Sequence, residues 1–422
     1  MILGPVSLVD CLVFCIFLAP QLLLQAGVFL TLSTALQALP FLLLRLPIEF
    51  TRERYFTPPA QQPIFVKEST IFEDVVIRCV RYAFAKIPAS VGRVFFSRQV
   101  SLPFIRWRLL RHGYLRFPVS WRSHRFGEGN ASSEGVWIMH QPELPPDIVV
   151  YYAHGGGFAM GSSFFYLEFL VVWHHLLLEA GYKNPAIFAL EYTLVPDDIY
   201  PRQLHETLLG YKHVLDVVHD PAKVCVAGDS AGGTLILSML LELGAQAQAR
   251  SREQPASQSG PRASLSGLDV PMLCTPRMAV LISPWVTLMT NLHARSMVDY
   301  LDRESLWRYA HEYAGEYMLH NHPASPGCCL DDGLWKAASP QKGYYVTYGS
   351  DEVFGPDVEN FINRQSRLGI KTAGLRVKGG IHAWPVACLF LSSSIQDRLS
   401  GLKPIVKEIR RRFDDKSAEG RV

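Results

Sequence analysis

Gly228-Asp229-Ser230-Ala231-Gly232 follows the apolar run KVCVAG and precedes LILSMLLEL, a run with helical character. A serine set between glycines at a strand-to-helix junction sits on a tight turn with its hydroxyl exposed, and that geometry serves nucleophilic attack on an acyl carbon. Alone, the pattern also describes an ordinary tight turn. A second glycine cluster gives it chemistry. Attack builds negative charge on the carbonyl oxygen, and backbone N–H donors must come close to it. His154-Gly155-Gly156-Gly157, at the end of VVYYA, is bare enough to do so. Gly156 and Gly157 are the expected donors together with the N–H of Ala231, while Gly155 shapes the turn and His154 orients the loop by hydrogen bonding. No GK[ST] follows and the spacing is not GxGxxG, which argues against a phosphate-binding loop.

A base and an orienting acid complete such a site, and on this scaffold they follow the serine in the order acid, then histidine. His293, His311, His320 and His322 precede the next apolar run, whereas His382 lies just past a late one, in KGGIHAWP. It is the expected base. The acid belongs on the turn after the preceding strand, where GYYVTYGSDEVF places Asp351, with Glu352 as the alternative. Asp331 and Asp332, in a polar loop, read as solvated charge. The expected reaction is a two-step acyl transfer: His382 takes the Ser230 proton, an acyl-enzyme forms, Asp351 fixes the imidazole tautomer, and water releases the acid. That chemistry requires no metal and no organic cofactor. None of the eight cysteines stands in a CxxC or Cys/His ligand spacing.

Positioning these residues takes an α/β scaffold. DIVVYYA, PAIFALEY, KVCVAG, RMAVLIS, GYYVTYG and AGLRVKG read as strands separated by helical patterns. A Ser-, Gln-, Ala- and Pro-rich stretch from about Gln246 to Pro276 reads as a surface insertion. HGGG, GDSAGG, Ser283-Pro284-Trp285, the GSDE ending at Glu352 and the late His382 together resemble the hormone-sensitive-lipase-like branch of the α/β hydrolases, over roughly residues 145 to 390. The chain in front resembles fungal steryl acetyl hydrolases and, more distantly, arylacetamide deacetylases. The resemblance implies an α/β-hydrolase fold, with a mostly parallel central sheet and a helical cap. It implies a carboxylic-ester hydrolase using Ser230, Asp351 and His382 on acetyl esters of sterols or similar lipophilic alcohols, held at the endoplasmic reticulum. An acyltransferase with the same triad and a non-catalytic ligand receptor are the alternatives, and the presence of His382 argues against the receptor. One departure stands out: where the family reads DYRLAPE, this chain reads EYTLVPDDIYPRQLHE, so Glu191 and Asp197 change the acidic positions.

The thirty-four residues from Cys11 to Leu44 carry no charged side chain. As one helix they would extend about 51 Å, against a hydrocarbon core of about 30 Å. The segment therefore reads as a membrane anchor, either one span with an overhang or a hairpin bent near Pro20 or Pro40. No Lys or Arg precedes it, unlike a secretory signal peptide. From Val75 to Gly127 there is no Asp or Glu, while arginines accumulate among Trp107, Tyr114, Phe117 and Trp121. Either this stretch is a membrane-surface apron, or its arginines pair with acids elsewhere in the fold. Arg45, Arg52 and Arg54 place the catalytic part on the cytosolic side by the positive-inside rule, the family resemblance places it in the lumen, and Asn130-Ala131-Ser132 is a glycosylation acceptor sequon. Forty-one basic and thirty-eight acidic residues leave a formal charge of +3, which does not suggest a nucleic-acid partner. The expected organisation is an anchor over residues 1–48, a basic and aromatic juxtamembrane and cap region over 49–130, and a catalytic domain over 131–415 with cap helices at about 286–340. The anchor is expected to be separable: without residues 1–48, a small soluble ester should still be hydrolysed.

Overall fold

All six apolar runs become strands of a single sheet. The computed structural model describes residues 2–127, 132–252 and 273–415. Its strands are β1 (Ser120–Phe126), β2 (Ser133–Met139), β3 (Ile148–Ala153), β4 (Pro185–Glu191), β5 (Val224–Asp229), β6 (Met278–Ile282), β7 (Tyr344–Gly349) and β8 (Thr372–Val377), in the spatial order β1-β2-β4-β3-β5-β6-β7-β8. From β4 to β8 every pairing is parallel, and β2 runs antiparallel to both β1 and β4. Strands β3, β5, β6 and β7 are buried on both faces, which is why they read as unbroken apolar runs without alternation. The sequence reading missed β1 and β2. β1, SWRSHRF, is a largely exposed edge strand with few apolar residues, so it carries little periodic signal.

Seven α-helices precede the sheet among the described residues: α1 (Leu8–Gln21), α2 (Val28–Pro40), α3 (Leu46–Thr51), α4 (Ile64–Glu68), α5 (Ile71–Lys86), α6 (Ala89–Phe96) and α7 (Arg98–Arg111). Leu8–Ala26 and Val28–Phe56 are each helical, long and apolar enough to cross a membrane by length and composition. The break between them falls at Gly27, with φ +85°, and not at Pro20 or Pro40, both of which sit inside helical turns.

The sheet is flanked on both faces. On one side pack α9 (Arg202–Val218) and α10 (Ala231–Arg252), and on the other α8 (Leu167–Glu179), α14 (Trp384–Leu391) and α16 (Leu402–Asp414). The remaining helices are α11 (Arg303–Met318), α12 (Asp332–Ala338), α13 (Gly355–Arg367) and α15 (Ile395–Leu399). Because α10 runs on to Arg252, the expected insertion begins later than Gln246; residues 253–272, and the Asn130 sequon, lie outside the described residues.

Two features of the N-terminal third bear on the readings above. Most arginines of the acid-free stretch find partners inside the fold: Arg78 pairs with Asp74 and Glu53, Arg93 with Asp197, and Arg81 donates to the carbonyls of Ser296 and Met297. Arg106, Arg116 and Arg122 stay exposed. The N-terminal segment is also packed into the rest of the fold. Leu3 is fully buried, and Arg108 donates to the carbonyls of Gly4 (2.6 Å) and Pro5 (3.2 Å) while pairing with Asp10 and Glu168, each at 3.0 Å. Arg398, near the other end of the chain, binds the carbonyls of Leu3 and Gly4 and pairs with Glu168 at 2.5 Å.

Candidate active site

Ser230 ends β5 and opens α10 with φ +52°, a left-handed conformation that a non-glycine residue adopts only under constraint. Its N–H donates to Ile282 O (3.0 Å) and its carbonyl accepts from Trp285 N (3.1 Å), so the end of β6 holds the turn. A side chain at position 232 would collide with the carbonyls of Ala153 and His154, which leaves glycine as the residue that lets the serine turn and the glycine loop meet backbone to backbone. Gly156 has φ +117° and would clash with Met160 O if it carried a Cβ. The sequence reading therefore named two segments that the fold packs against each other.

Asp229 was not singled out, yet it ties them together. Its carboxylate is buried and accepts from Tyr152 Oη (2.6 Å), Tyr166 Oη (2.8 Å) and Gly155 N (2.8 Å). Burial pushes its pKa up to about 6, against the lowering effect of those three donors. The signal was available as the acid beside the nucleophile in GDSAGG. His154 lies with Nδ1 2.8 Å from Gly155 O, its ring stacked on Tyr192 at 4.4 Å, and burial lowers its pKa to about 4, which keeps it neutral.

His382 is buried beyond β8, its ring edge-on to Phe354 (5.1 Å) and Tyr300 (5.5 Å). Burial pushes its pKa down to about 3, so the resting ring is neutral with a lone pair to accept a proton. The two acids of the preceding turn go different ways. Asp351 is half-buried, and its carboxylate accepts from Ser350 Oγ at 2.7 Å, next door in sequence. Glu352 points inward. Its Oε2 accepts from Ser283 Oγ (2.6 Å) and Gly349 N (2.9 Å), and Ser283 Oγ in turn accepts from Ala383 N (2.9 Å), one residue past His382. Glu352 Oε1 and His382 Nδ1 are both buried without a hydrogen-bond partner. Burial raises the Glu352 pKa well above the usual carboxylate range, against the bonds from Ser283 and Gly349. Asp299, in a segment with no motif, joins the two halves by accepting from His382 N (3.1 Å) and Val353 N (2.8 Å). Ser283 (φ +43°) and Ala383 (φ +47°) share the left-handed conformation of Ser230, so the strained backbone gathers here.

Ser230, His382, Asp229 and Gly155–Gly157 all line one cavity of about 300 Å³. The rest of the lining is largely apolar: Phe72, Val76 and Phe84 on α5, Phe95 and Phe104 on α6 and α7, and Tyr300 and Tyr309 from the expected cap region, which lie next to His382 and Gly157. Other aromatics in or next to that region do not line the cavity: Trp285 and Tyr313 are core residues, with Tyr313 stacked on Phe158 at 3.7 Å, and Tyr317 is exposed.

A predominantly parallel sheet with a serine at a strand–helix elbow, a glycine loop beside it and a histidine past the last strand defines an α/β hydrolase. The chain belongs to that family: the model described as alpha/beta hydrolase fold matches residues 150–386. A second family model, described as steryl acetyl hydrolase, matches residues 29–252 and so takes in most of the N-terminal helices as well. Among curated proteins, the chain is 32% identical over 133 residues to a neutral cholesterol ester hydrolase 1 of Pongo abelii, covering 28% of this chain and 31% of the relative. It is 26% identical over 264 residues to a putative steryl acetyl hydrolase, mug81, of Schizosaccharomyces pombe, covering 59% and 62%. The matches thus span 31 to 62% of the length of these relatives. A crystal structure of an esterase from the bacterial hormone-sensitive lipase family superimposes with TM-score 0.56 at 20% identity, over 82% of this chain and 99% of that one, and shows the shared fold.

Proposed function

We propose that the protein is a membrane-anchored serine esterase that hydrolyses carboxylic esters, acetyl esters foremost, of lipophilic alcohols such as sterols. The observation that carries this reading is that Ser230, His382 and the Gly155–Gly157 loop line one cavity whose remaining lining is largely apolar. Polar groups cluster where an ester carbonyl would react, and aromatic and aliphatic side chains line the space left for the rest of the substrate. The second family is that of a steryl acetyl hydrolase, and the relatives are a neutral cholesterol ester hydrolase and a putative steryl acetyl hydrolase, which supports the same substrate class.

His382, neutral at rest, takes the proton of Ser230 as the serine attacks the carbonyl carbon. The N–H groups of Gly156, Gly157 and Ala231 receive the oxyanion, the alcohol leaves with the proton from His382, and water repeats the sequence to release the acid. Glu352, in place of Asp351, is the acid of the triad. Alone, either charge is opposed by burial. Formed opposite one another, a His382 imidazolium and a Glu352 carboxylate offset each other's desolvation, which makes the proton transfer from Ser230 feasible. The test is labelling by a fluorophosphonate together with hydrolysis of p-nitrophenyl acetate. Ser230→Ala should abolish both, and retained hydrolysis by that variant would overturn the reading.

A further inference from the structure

Helix α1 has two working faces. Leu8, Leu12 and Ile16 are exposed at 79, 62 and 59% along one side of it. Its other side carries Cys11 and Phe14, which line the same cavity as Ser230 and His382. Phe14 is fixed there by aromatic contacts, tilted on Phe95 at 4.7 Å and edge-on to Phe104 at 5.0 Å. The helix is also held in place at its start, because Asp10 is buried against Arg108 and Arg111. A segment that served only to tether the enzyme would need neither a cavity-lining aromatic nor a buried ion pair to set its rotation.

Resting on the esterase reading above, we propose that α1 is a wall of the substrate cavity and that Phe14 is a specificity-determining residue, holding the apolar alcohol portion of a lipophilic ester against the membrane helix. Removing the ring takes apolar contact away from a bulky alcohol, whereas an ester with a small leaving group has little surface to lose. The cavity therefore selects for esters whose alcohol is large, rigid and dissolved in the bilayer that α1 occupies.

The experiment uses the full chain in lipid nanodiscs and measures kcat/KM for an acetylated sterol and for p-nitrophenyl acetate. Phe14→Ala should lower the ratio of the two at least tenfold, about 1.4 kcal/mol, and Phe14→Leu should recover most of the loss. Phe29→Ala, a residue 87% exposed on α2, should leave the ratio unchanged. A second readout does not depend on turnover. In the Ser230→Ala protein, the acetylated sterol should slow alkylation of Cys11 by N-ethylmaleimide but not that of Cys15, which is exposed on the same helix. An unchanged ratio in Phe14→Ala, or Cys11 and Cys15 alkylated alike with and without the sterol ester, would overturn the proposal. Hydrolysis of both esters by Ser230→Ala would instead sink the esterase reading beneath it.

Discussion

Glu352 and Ser283 are joined by a hydrogen bond of 2.6 Å, and the same serine hydroxyl receives the N–H of Ala383 at 2.9 Å. The end of β6, the turn after β7 and the histidine loop are thus locked through one oxygen. Glu352→Gln should therefore lower kcat by about 10³- to 10⁴-fold, the scale seen when a triad acid loses its charge but keeps its shape. Asp351→Asn, whose carboxylate is occupied by Ser350, should stay within about threefold of the parent, since it changes a half-buried contact with a neighbouring hydroxyl and leaves the Glu352 network intact. Steady-state kinetics on p-nitrophenyl acetate decide it. A collapse in Asp351→Asn with Glu352→Gln active would restore Asp351 to the triad.

Asp229 offers a test of loop positioning. Its three donors include Gly155 N, so the carboxylate fixes the start of the glycine loop from behind the nucleophile. Asn at this position can keep its oxygen on Tyr152 and Gly155 while its NH2 meets Tyr166 Oη, which can accept, but it removes the negative charge and so weakens the bond that holds Gly155 N. The loop should then hold the oxyanion less well. Asp229→Asn is expected to reduce kcat by about 10²-fold, near the cost of one oxyanion-hole donor, with KM for p-nitrophenyl acetate little altered. A rise in KM at constant kcat would show that Asp229 shapes binding alone.

The parts of the molecule legible in the sequence were those with a local signal. Ser230, the HGGG loop and the six core strands each sit in a continuous run whose composition states its role, and the fold brings those runs together. The acid was harder to read. Asp351 and Glu352 are adjacent, a strand-end turn sends neighbouring side chains to opposite sides, and only the three-dimensional path of the turn shows that Glu352 faces Ser283. Asp299 had no signal at all, because its bonds to His382 and Val353 span 83 and 54 residues. The N-terminal apolar run showed what α1 and α2 would avoid, namely water, but composition alone is silent on which protein surface a helix also touches.

The buried charges that anchor α1 carry a stability prediction. Arg108 and Arg398 share Glu168, and both bind the carbonyl of Gly4. Deleting residues 1–48 would strip both guanidinium groups of those carbonyls and Arg108 of Asp10, and breaking such a buried pair typically costs about 3–5 kcal/mol. The truncated chain should lose hydrolysis of soluble and lipophilic esters together, from unfolding, and Asp10→Asn should lower the thermal midpoint of the intact chain measurably. A truncated protein with a parent-like melting curve would show that the clasp contributes nothing to the fold.

One buried histidine remote from the site contributes a separable share of the acid sensitivity. His174 is fully buried on α8 with Nε2 3.0 Å from Pro185 O, which fixes the proton on Nε2 and leaves Nδ1 without a partner. A second proton would have no acceptor, and burial accordingly lowers the pKa from its ordinary 6.5 to about 4. The sign follows from linkage: the unfolded chain takes up a proton at this histidine near pH 6.5 and the folded chain does not, so stability is full above that pH and is lost as pH falls toward 4. Between pH 7 and 5 the loss amounts to about 2 kcal/mol. Asp229, Asp299 and Asp357, raised by burial to about 6, act with the opposite sign in part of the same window, so the parent profile alone does not isolate His174. His174→Phe does. It forfeits the bond to Pro185 at every pH, which displaces the curve as a whole, but it also removes the titrating group, which changes its slope. Urea midpoints at pH 7 and pH 5 should therefore differ less in the variant than in the parent, by about 2 kcal/mol when converted to free energy, and equal differences in the two proteins would mean that His174 is protonated as readily folded as unfolded.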